Sequence, residues 1–347
     1  MTPRKRPPAK AKRKAALPLR KRLAIMGGSA AATLAVIVAV AALWGLWSWF
    51  GPGPAAREGD STTVLLRQGG GITEIAQTLR SEHVIGSSAV FLVAAQISGA
   101  AKRLKAGEYE FPSRASMATV IDNIRHGRVV RHFVTIPEGM TSEMAVDVLM
   151  KEDVLTGSAP VPPEGAILPE TYEVQRGEDR AAVLQRMMND RDALLEQLWA
   201  QRQPGLPFEH PEQAVVMASI VEKETAKPDE RPRIAAVFIN RLRQGMKLQS
   251  DPTIIYGLTR GRPLGRGIRQ SELQSDTPYN TYVIVGLPPT PIANPGRASL
   301  AAVLDPAKTA DLYFVADGTG GHAFSGTLDE HARNVARWRR IEQAREH

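Results

Sequence analysis

The chain has 347 residues, enough for an anchor plus one large or two modest domains, and its 43% hydrophobic content supports a folded core. The formal charge of +8 belongs to one end: residues 1–22 hold ten Lys and Arg and no acid, so residues 23–347 carry a net −2, which excludes a basic nucleic-acid groove in the folded part. There is no cysteine, which excludes disulfides, thiolate nucleophiles and cysteine-based metal sites.

From Leu23 to Phe50 the chain runs 28 residues without a charge. About 20 apolar residues span the hydrocarbon core of a bilayer, so this stretch is long enough with some tilt. The basic residues flank one side only, which predicts a cytoplasmic N-terminus and a folded part outside the cytoplasm. Trp44, Trp47, Trp49 and Phe50 gather at the other end, where amphipathic rings prefer the headgroup region, and Gly51-Pro52-Gly53-Pro54 breaks the helix. A cleaved signal peptide is the competing reading, but its apolar region is about 7–15 residues long and ends in small residues.

Two stretches, Thr63–Gly86 and His132–Gly157, share the order strand, Gly-x-Thr, helix, then a short apolar exit. Thr73 and Thr141 are the natural N-caps of the two helices. Between them the sequence predicts a helix over 88–101, a strand over 107–111 and a helix near 117–126. The β-α-α-β order from about Thr63 to Phe111 resembles a LysM module, a small fold whose members bind N-acetylglucosamine-containing glycans. No aromatic set for stacking on sugars is visible there, so a spacer role is the other reading. Further on, helices are predicted over 181–201, 212–227, 231–244 and 298–304, with a loop-rich stretch to Pro295. A hairpin follows, with strands over 312–315 and 322–325 around an Asp317-Gly318 turn, and then a terminal helix. The fold class is α+β: residues 1–22 a basic cytoplasmic tail, 23–50 a transmembrane anchor, 51–131 the LysM-like subdomain with its linker, and 132–347 a catalytic domain.

Eight uncharged residues, Ala214–Val221, lead into Glu222. On helical spacing Val215, Ala218, Ser219 and Glu222 share a face, whereas Glu224 points elsewhere. A carboxyl at the edge of apolar surroundings suits a general acid; a solvated helix end is the bland alternative. The run ASIVEKET (Ala218–Thr225), followed by INRL (239–242), MKLQSDPT (246–253), YNTY (279–282), GLPP-x-PIANPG (286–296) and YFVADGTGGHAF (313–324), resembles the MltG (YceG-like) family of endolytic murein transglycosylases. PEGAILPETY (163–172) resembles an upstream motif of the same family, and the likeness covers about residues 60–340. One departure is Ala332 in HARNV, where the family pattern has Asn.

The resemblance implies a lysozyme-like catalytic domain with Glu222 as the catalytic acid. It also implies groove-lining roles for Gln249, Asn280 and Tyr282, with Glu164 as a second groove carboxylate. Turn chemistry and core packing are the alternative for Gln249, Asn280 and Tyr282; Asp251 reads as a turn start and His322 as a hairpin residue. The implied reaction cleaves the MurNAc–GlcNAc β-1,4 bond of peptidoglycan glycan strands without water and leaves a 1,6-anhydro-MurNAc end. One carboxylate suffices because the attacking 6-hydroxyl belongs to the same sugar, with an effective concentration of up to about 10⁵–10⁸ M. Peptidoglycan synthases are the partners that the family implies. No cofactor is expected: the sequence has no H-E-x-x-H zinc motif, no phosphate loop and no G-x-S-x-G elbow. Two other classes stay open, a non-enzymatic glycan-binding scaffold and a hydrolytic muramidase that pairs the acid with Glu164 or Glu224.

Overall fold

The computed structural model describes residues 19–67 and 69–345, those from 19 to 30 as backbone. The basic residues 1–18 lie outside it. The chain divides into two compact units, residues 1–130 and 131–347.

Helix α1 (Leu19–Phe50) opens the first unit. Its stretch Ala31–Phe50 is the one helix among the described residues long and apolar enough to cross a membrane, and none of it is buried. Strands β1 (Ser61–Leu66) and β2 (Gly107–Pro112) pair antiparallel, from Ser61 opposite Pro112 to Leu66 opposite Gly107. Between them run α2 (Ile72–Ser81) and α3 (Ser88–Ile97), and α4 (Met117–His126) follows. Val64 and Leu66 alternate inward from β1 and meet Leu79, Phe91, Tyr109 and Ile124 in one core. Helix α2 is capped by Gly71, not by Thr73: its first residue is Ile72, so Thr73 already lies inside the first turn. Helix α3 stops earlier than the sequence predicts, because Gly99 turns the chain at φ 66°.

In the second unit β3 (His132–Thr135) pairs antiparallel with β4 (Thr171–Val174), and α5 (Ser142–Lys151) lies between them in sequence. Here Thr141 is the N-cap, its hydroxyl accepting from the Met144 N–H at 3.3 Å. Helix α6 (Arg180–Ala200) packs Val183, Leu184 and Met187 against this sheet and turns Leu194 and Leu195 toward a second, helical core. That core is built on α7 (Pro211–Glu224), α8 (Arg231–Arg243) and α11 (Arg297–Leu304). The loop-rich stretch up to Pro295, in which no helix is expected, contains α9 (Asp251–Thr259) and the single turn α10 (Gln270–Leu273). Strands β5 (Tyr313–Ala316) and β6 (His322–Ser325) form the hairpin, and α12 (Leu328–Arg345) ends the chain. The Asp317 carboxylate holds the turn by accepting from the Thr319 and Gly321 N–H groups.

Candidate active site

Helix α7 is the axis of the site. Every residue from Ala214 to Val221 is buried, so the helix is fixed by apolar packing on all sides and its last turn carries the polar chemistry. It ends at Thr225, whose backbone is extended. Residues two apart on a helix do not share a face, and Glu222 and Glu224 accordingly reach different neighbours.

Glu222 is 5% exposed in its side chain and has both carboxylate oxygens occupied. Oε1 accepts from the Arg231 guanidinium at 3.3 Å, and Oε2 accepts from the Gly296 N–H at 2.9 Å, at the start of α11. The same Arg231 nitrogen donates to Glu138 Oε2 at 3.2 Å, so two carboxylates flank one cation. Burial, then the Glu222 charge, push the Glu138 pKa up, and Arg231 opposes them. The Glu138 carboxylate occupies the space that a Cβ at Gly296 would take, so a side chain there would displace Glu138 from Arg231. Lys223 Nζ donates to the Gly139 carbonyl at 3.2 Å.

Glu224 is half-buried on the other side and accepts from the Ser250 hydroxyl. Burial raises its pKa to about 7; the Ser250 hydrogen bond lowers it, the Asp251 charge raises it, and Arg241 lowers it. The residues around it come from the two later motifs. Tyr282 donates its hydroxyl to Asp251 Oδ1 at 2.7 Å, and its own pKa is raised by burial, by that hydrogen bond and by the charges of Asp251 and Glu224. Gln249 precedes Ser250 with a φ of 54°, a left-handed conformation that costs a non-glycine residue on the order of 1 kcal/mol. Its N–H donates to the Thr281 carbonyl at 3.1 Å, and its side-chain oxygen accepts from Arg241 at 3.1 Å. Arg241 also donates to the carbonyls of Leu248 (2.8 Å), Lys247 (3.2 Å) and Leu312 (2.7 Å). A buried guanidinium thus fixes the 247–249 loop against the start of the hairpin.

The other expected residues sit as follows. Asn280 is 1% exposed and uses its side chain on its own loop: the amide donates to the carbonyls of Glu272, Leu273 and Ser275, and the oxygen accepts from the Tyr282 N–H. Glu164 stands in a third cluster. Its Oε1 accepts from the Ser142 N–H (2.8 Å), the Ser142 hydroxyl (3.2 Å) and the Asn294 amide (3.3 Å), and its Oε2 accepts from the Tyr256 hydroxyl (3.2 Å). Burial nevertheless raises its pKa. His322 pairs through Nδ1 with Glu230 at 2.7 Å. The structure thus gathers Gln249 and Tyr282 about Glu224, gives Glu222 to Glu138 and Arg231, and leaves Glu164 with Asn294. Glu138, Arg231 and Arg241 were not singled out in the sequence, although Pro137-Glu138-Gly139 repeats the Pro-Glu-Gly of residues 163–165. Among the described residues no group of three His, Asp or Glu could hold a metal ion.

A family model described as the YceG-like family matches residues 64–337, a span containing all three clusters. The chain is 29% identical over 310 residues to the endolytic murein transglycosylase of Bacillus subtilis (strain 168), covering 79% of this chain and 84% of that protein. It is 28% identical over 324 residues to the endolytic murein transglycosylase of Streptococcus pneumoniae serotype 2 (strain D39 / NCTC 7466), covering 79% of this chain and 58% of that protein. The crystal structure of a yceG-like protein from Listeria monocytogenes has 29% identity and a TM-score of 0.49, covering 79% of this chain and 98% of that one.

Proposed function

The chain belongs to the YceG-like family, and on that premise we propose that it is a membrane-anchored lytic transglycosylase cutting within peptidoglycan glycan strands, with Glu224 as its proton donor. The observation that carries the reading is Glu224 itself, half-buried, with a pKa raised to about 7, among residues of two later family motifs. A carboxyl with that pKa is protonated in a large share of molecules near neutral pH, as a general acid requires. Glu224 gives its proton to the oxygen leaving the MurNAc anomeric carbon, and the MurNAc–GlcNAc bond breaks. The carboxylate so formed then takes the proton of the MurNAc 6-hydroxyl as that oxygen bonds to the anomeric carbon. No water is consumed, the 1,6-anhydro ring closes, and Glu224 regains its proton.

Glu222, to which the family resemblance points, is less suited to the step, because each of its oxygens already accepts a hydrogen bond within the protein. Its part is to tie the end of α7 to α8 and to the 294–296 loop. Gln249 and Tyr282 shape the groove beside Glu224, and Asn280 holds the loop that presents Tyr282. Glu164 braces the same framework through Asn294.

The remaining parts of the reading rest on the sequence and on single features. The basic flank of α1 supports a cytoplasmic N-terminus, with the residues after Phe50 beyond the plasma membrane. The antiparallel β1–β2 pair with α2 and α3 between its strands supports a LysM-like unit. Its rings Phe91, Tyr109 and Phe111 are at most 1% exposed, which favours a spacer over a sugar-binding role. The helical surroundings of α7 support a lysozyme-like second unit, and peptidoglycan synthases are partners by family likeness alone.

The test is digestion of purified peptidoglycan by the full chain in detergent, beside Glu224→Gln and Glu222→Gln, with muropeptide ends identified by mass spectrometry. Anhydro-MurNAc ends from the parent chain and from Glu222→Gln, with none from Glu224→Gln, are the expected result. The reverse pattern between the two variants returns the acid to Glu222. Reducing ends make the protein a hydrolytic muramidase, for which Asp251, whose charge already acts on Glu224, is the second carboxylate. Bound glycan without cleavage leaves the scaffold reading.

A further inference from the structure

Helix α3 reads SAVFLVAAQI, without a charge, and turns only part of itself inward. Phe91, Ala94 and Ala95 enter the core of the first unit, whereas Val93 is 57% and Ile97 83% exposed. These two are four residues apart and stand one above the other on the outer face. Apolar surface of this kind calls for a cover. The neighbouring element is α1, in the turn that carries its tryptophans. A groove of about 500 Å³ runs between the two helices, lined by Trp44, Trp49, Ala89, Val93 and Ile97. Trp49 also lines a second groove, of about 400 Å³, whose other residues include Ser98, Asp122, Arg125 and Arg128. Within the second groove Arg128 pairs with Asp122 at 3.1 Å, so its three charged side chains sum to one positive charge; an apolar slot and a polar, net-positive slot therefore share one ring at the end of α1.

This is the order of chemistry along a phospholipid: hydrocarbon chain, interfacial zone, anionic phosphate. We propose that α3 docks on the leaflet from which α1 emerges, with Val93 and Ile97 among the acyl chains, a chain in the apolar groove, and Arg125 and Arg128 at the level of the phosphates. Tryptophan is the side chain that favours the boundary between those zones, and arginines near the surface are drawn to anionic lipid. The inference rests on α1 being a membrane anchor and adds a second attachment to it. The first unit then lies against the bilayer with a fixed face down, where a single helix would leave it free to swing.

The absence of cysteine allows the test to be made on the full chain. Single variants Val93→Cys, Ile97→Cys, Val38→Cys within α1 and Gln77→Cys on the exposed face of α2 are spin-labelled and reconstituted in vesicles of phosphatidylethanolamine and phosphatidylglycerol. Collision rates with oxygen, which concentrates in lipid, and with a water-soluble nickel chelate are then compared. Labels at 93 and 97 are expected to show an oxygen-to-nickel ratio several-fold above that at 77 and close to that at 38. A lipid-like ratio at 38 with water-like ratios at 93 and 97 overturns the docking and leaves the anchor standing. Water-like ratios at all three positions overturn both. Protection of 93 and 97 from both reagents, with spin–spin broadening that disappears on dilution with unlabelled chain, makes a second copy the cover and overturns the proposal. Replacing phosphatidylglycerol by phosphatidylcholine is expected to lower the ratio at 97, and an unchanged ratio removes the arginines from the contact.

Discussion

Replacing Glu224 by Gln tests the chemistry and the energetics of the same carboxyl. Burial raises its pKa from 4.5 to about 7. A carboxyl whose folded pKa is raised contributes stability that is fully present below 4.5 and is lost as the pH climbs through about 7, because the folded chain must then hold a poorly solvated charge. With the pKa moved from 4.5 to about 7, and about 1.4 kcal/mol for each tenfold change in proton affinity, ionisation at pH 8 costs the fold on the order of 3 kcal/mol. Gln keeps the shape and cannot ionise. The variant is therefore expected to be no more stable than the parent near pH 5 and to gain on it steadily up to about pH 7.5, after which the gap is constant. Thermal unfolding of both chains in the same detergent, from pH 5 to 8.5, reads this as a melting-point gap of several degrees that opens with pH, taking roughly 2–4 °C per kcal/mol. Parent activity should fall above about pH 7, as the donor loses its proton. A melting-point gap independent of pH, or activity undiminished at pH 8.5, would refute the reasoning.

Arg241→Met removes hydrogen bonds to three carbonyls and to Gln249 while keeping the apolar stem; a loss on the order of 3 kcal/mol is expected in denaturant unfolding. Asn280→Ala leaves the carbonyls of Glu272, Leu273 and Ser275 without their shared donor; about 2 kcal/mol should be lost, with a rise in KM for glycan as the Tyr282 loop loosens. Tyr282→Phe removes the hydroxyl on Asp251, and the midpoint of the pH–activity profile should move, because Asp251 is one of the charges acting on Glu224. Thr141→Ala removes the α5 N-cap and should cost about 1 kcal/mol in unfolding without changing the muropeptide ends.

The elements most legible in the sequence were those with strong local signals. Helix α6 has a long amphipathic run, the hairpin has Asp317-Gly318, and Thr141 caps α5 through the Gly-x-Thr pattern. Thr73 sits in the same pattern, but the chain begins its helix one residue after Gly71, a choice of backbone that the side chains do not announce. Helix α9 was hidden in a Gly- and Pro-containing stretch, although Ser250-Asp251-Pro252 is a good helix start once seen, with the proline in the first turn. In the site, periodicity correctly separated Glu222 from Glu224 by face. It could not say what each face would meet: Glu222 meets a guanidinium 9 residues on and a backbone N–H 74 residues on, and Glu224 a hydroxyl 26 residues on. The apolar lead-in Ala214–Val221 points at the helix end, and tertiary packing alone decides what each of the two carboxyls meets there.

The reach of Arg241 bears on how this protein can be rebuilt. One side chain joins residues 247–249 to Leu312, just before the hairpin, positions that are some 60 residues apart in the chain. Grafting the terminal hairpin from a relative while keeping the 246–253 segment, or the reverse, would leave the guanidinium facing carbonyls placed for another sequence. The two segments and α8 form a single transplantable block, and a library that shuffles them separately should yield few active chimeras.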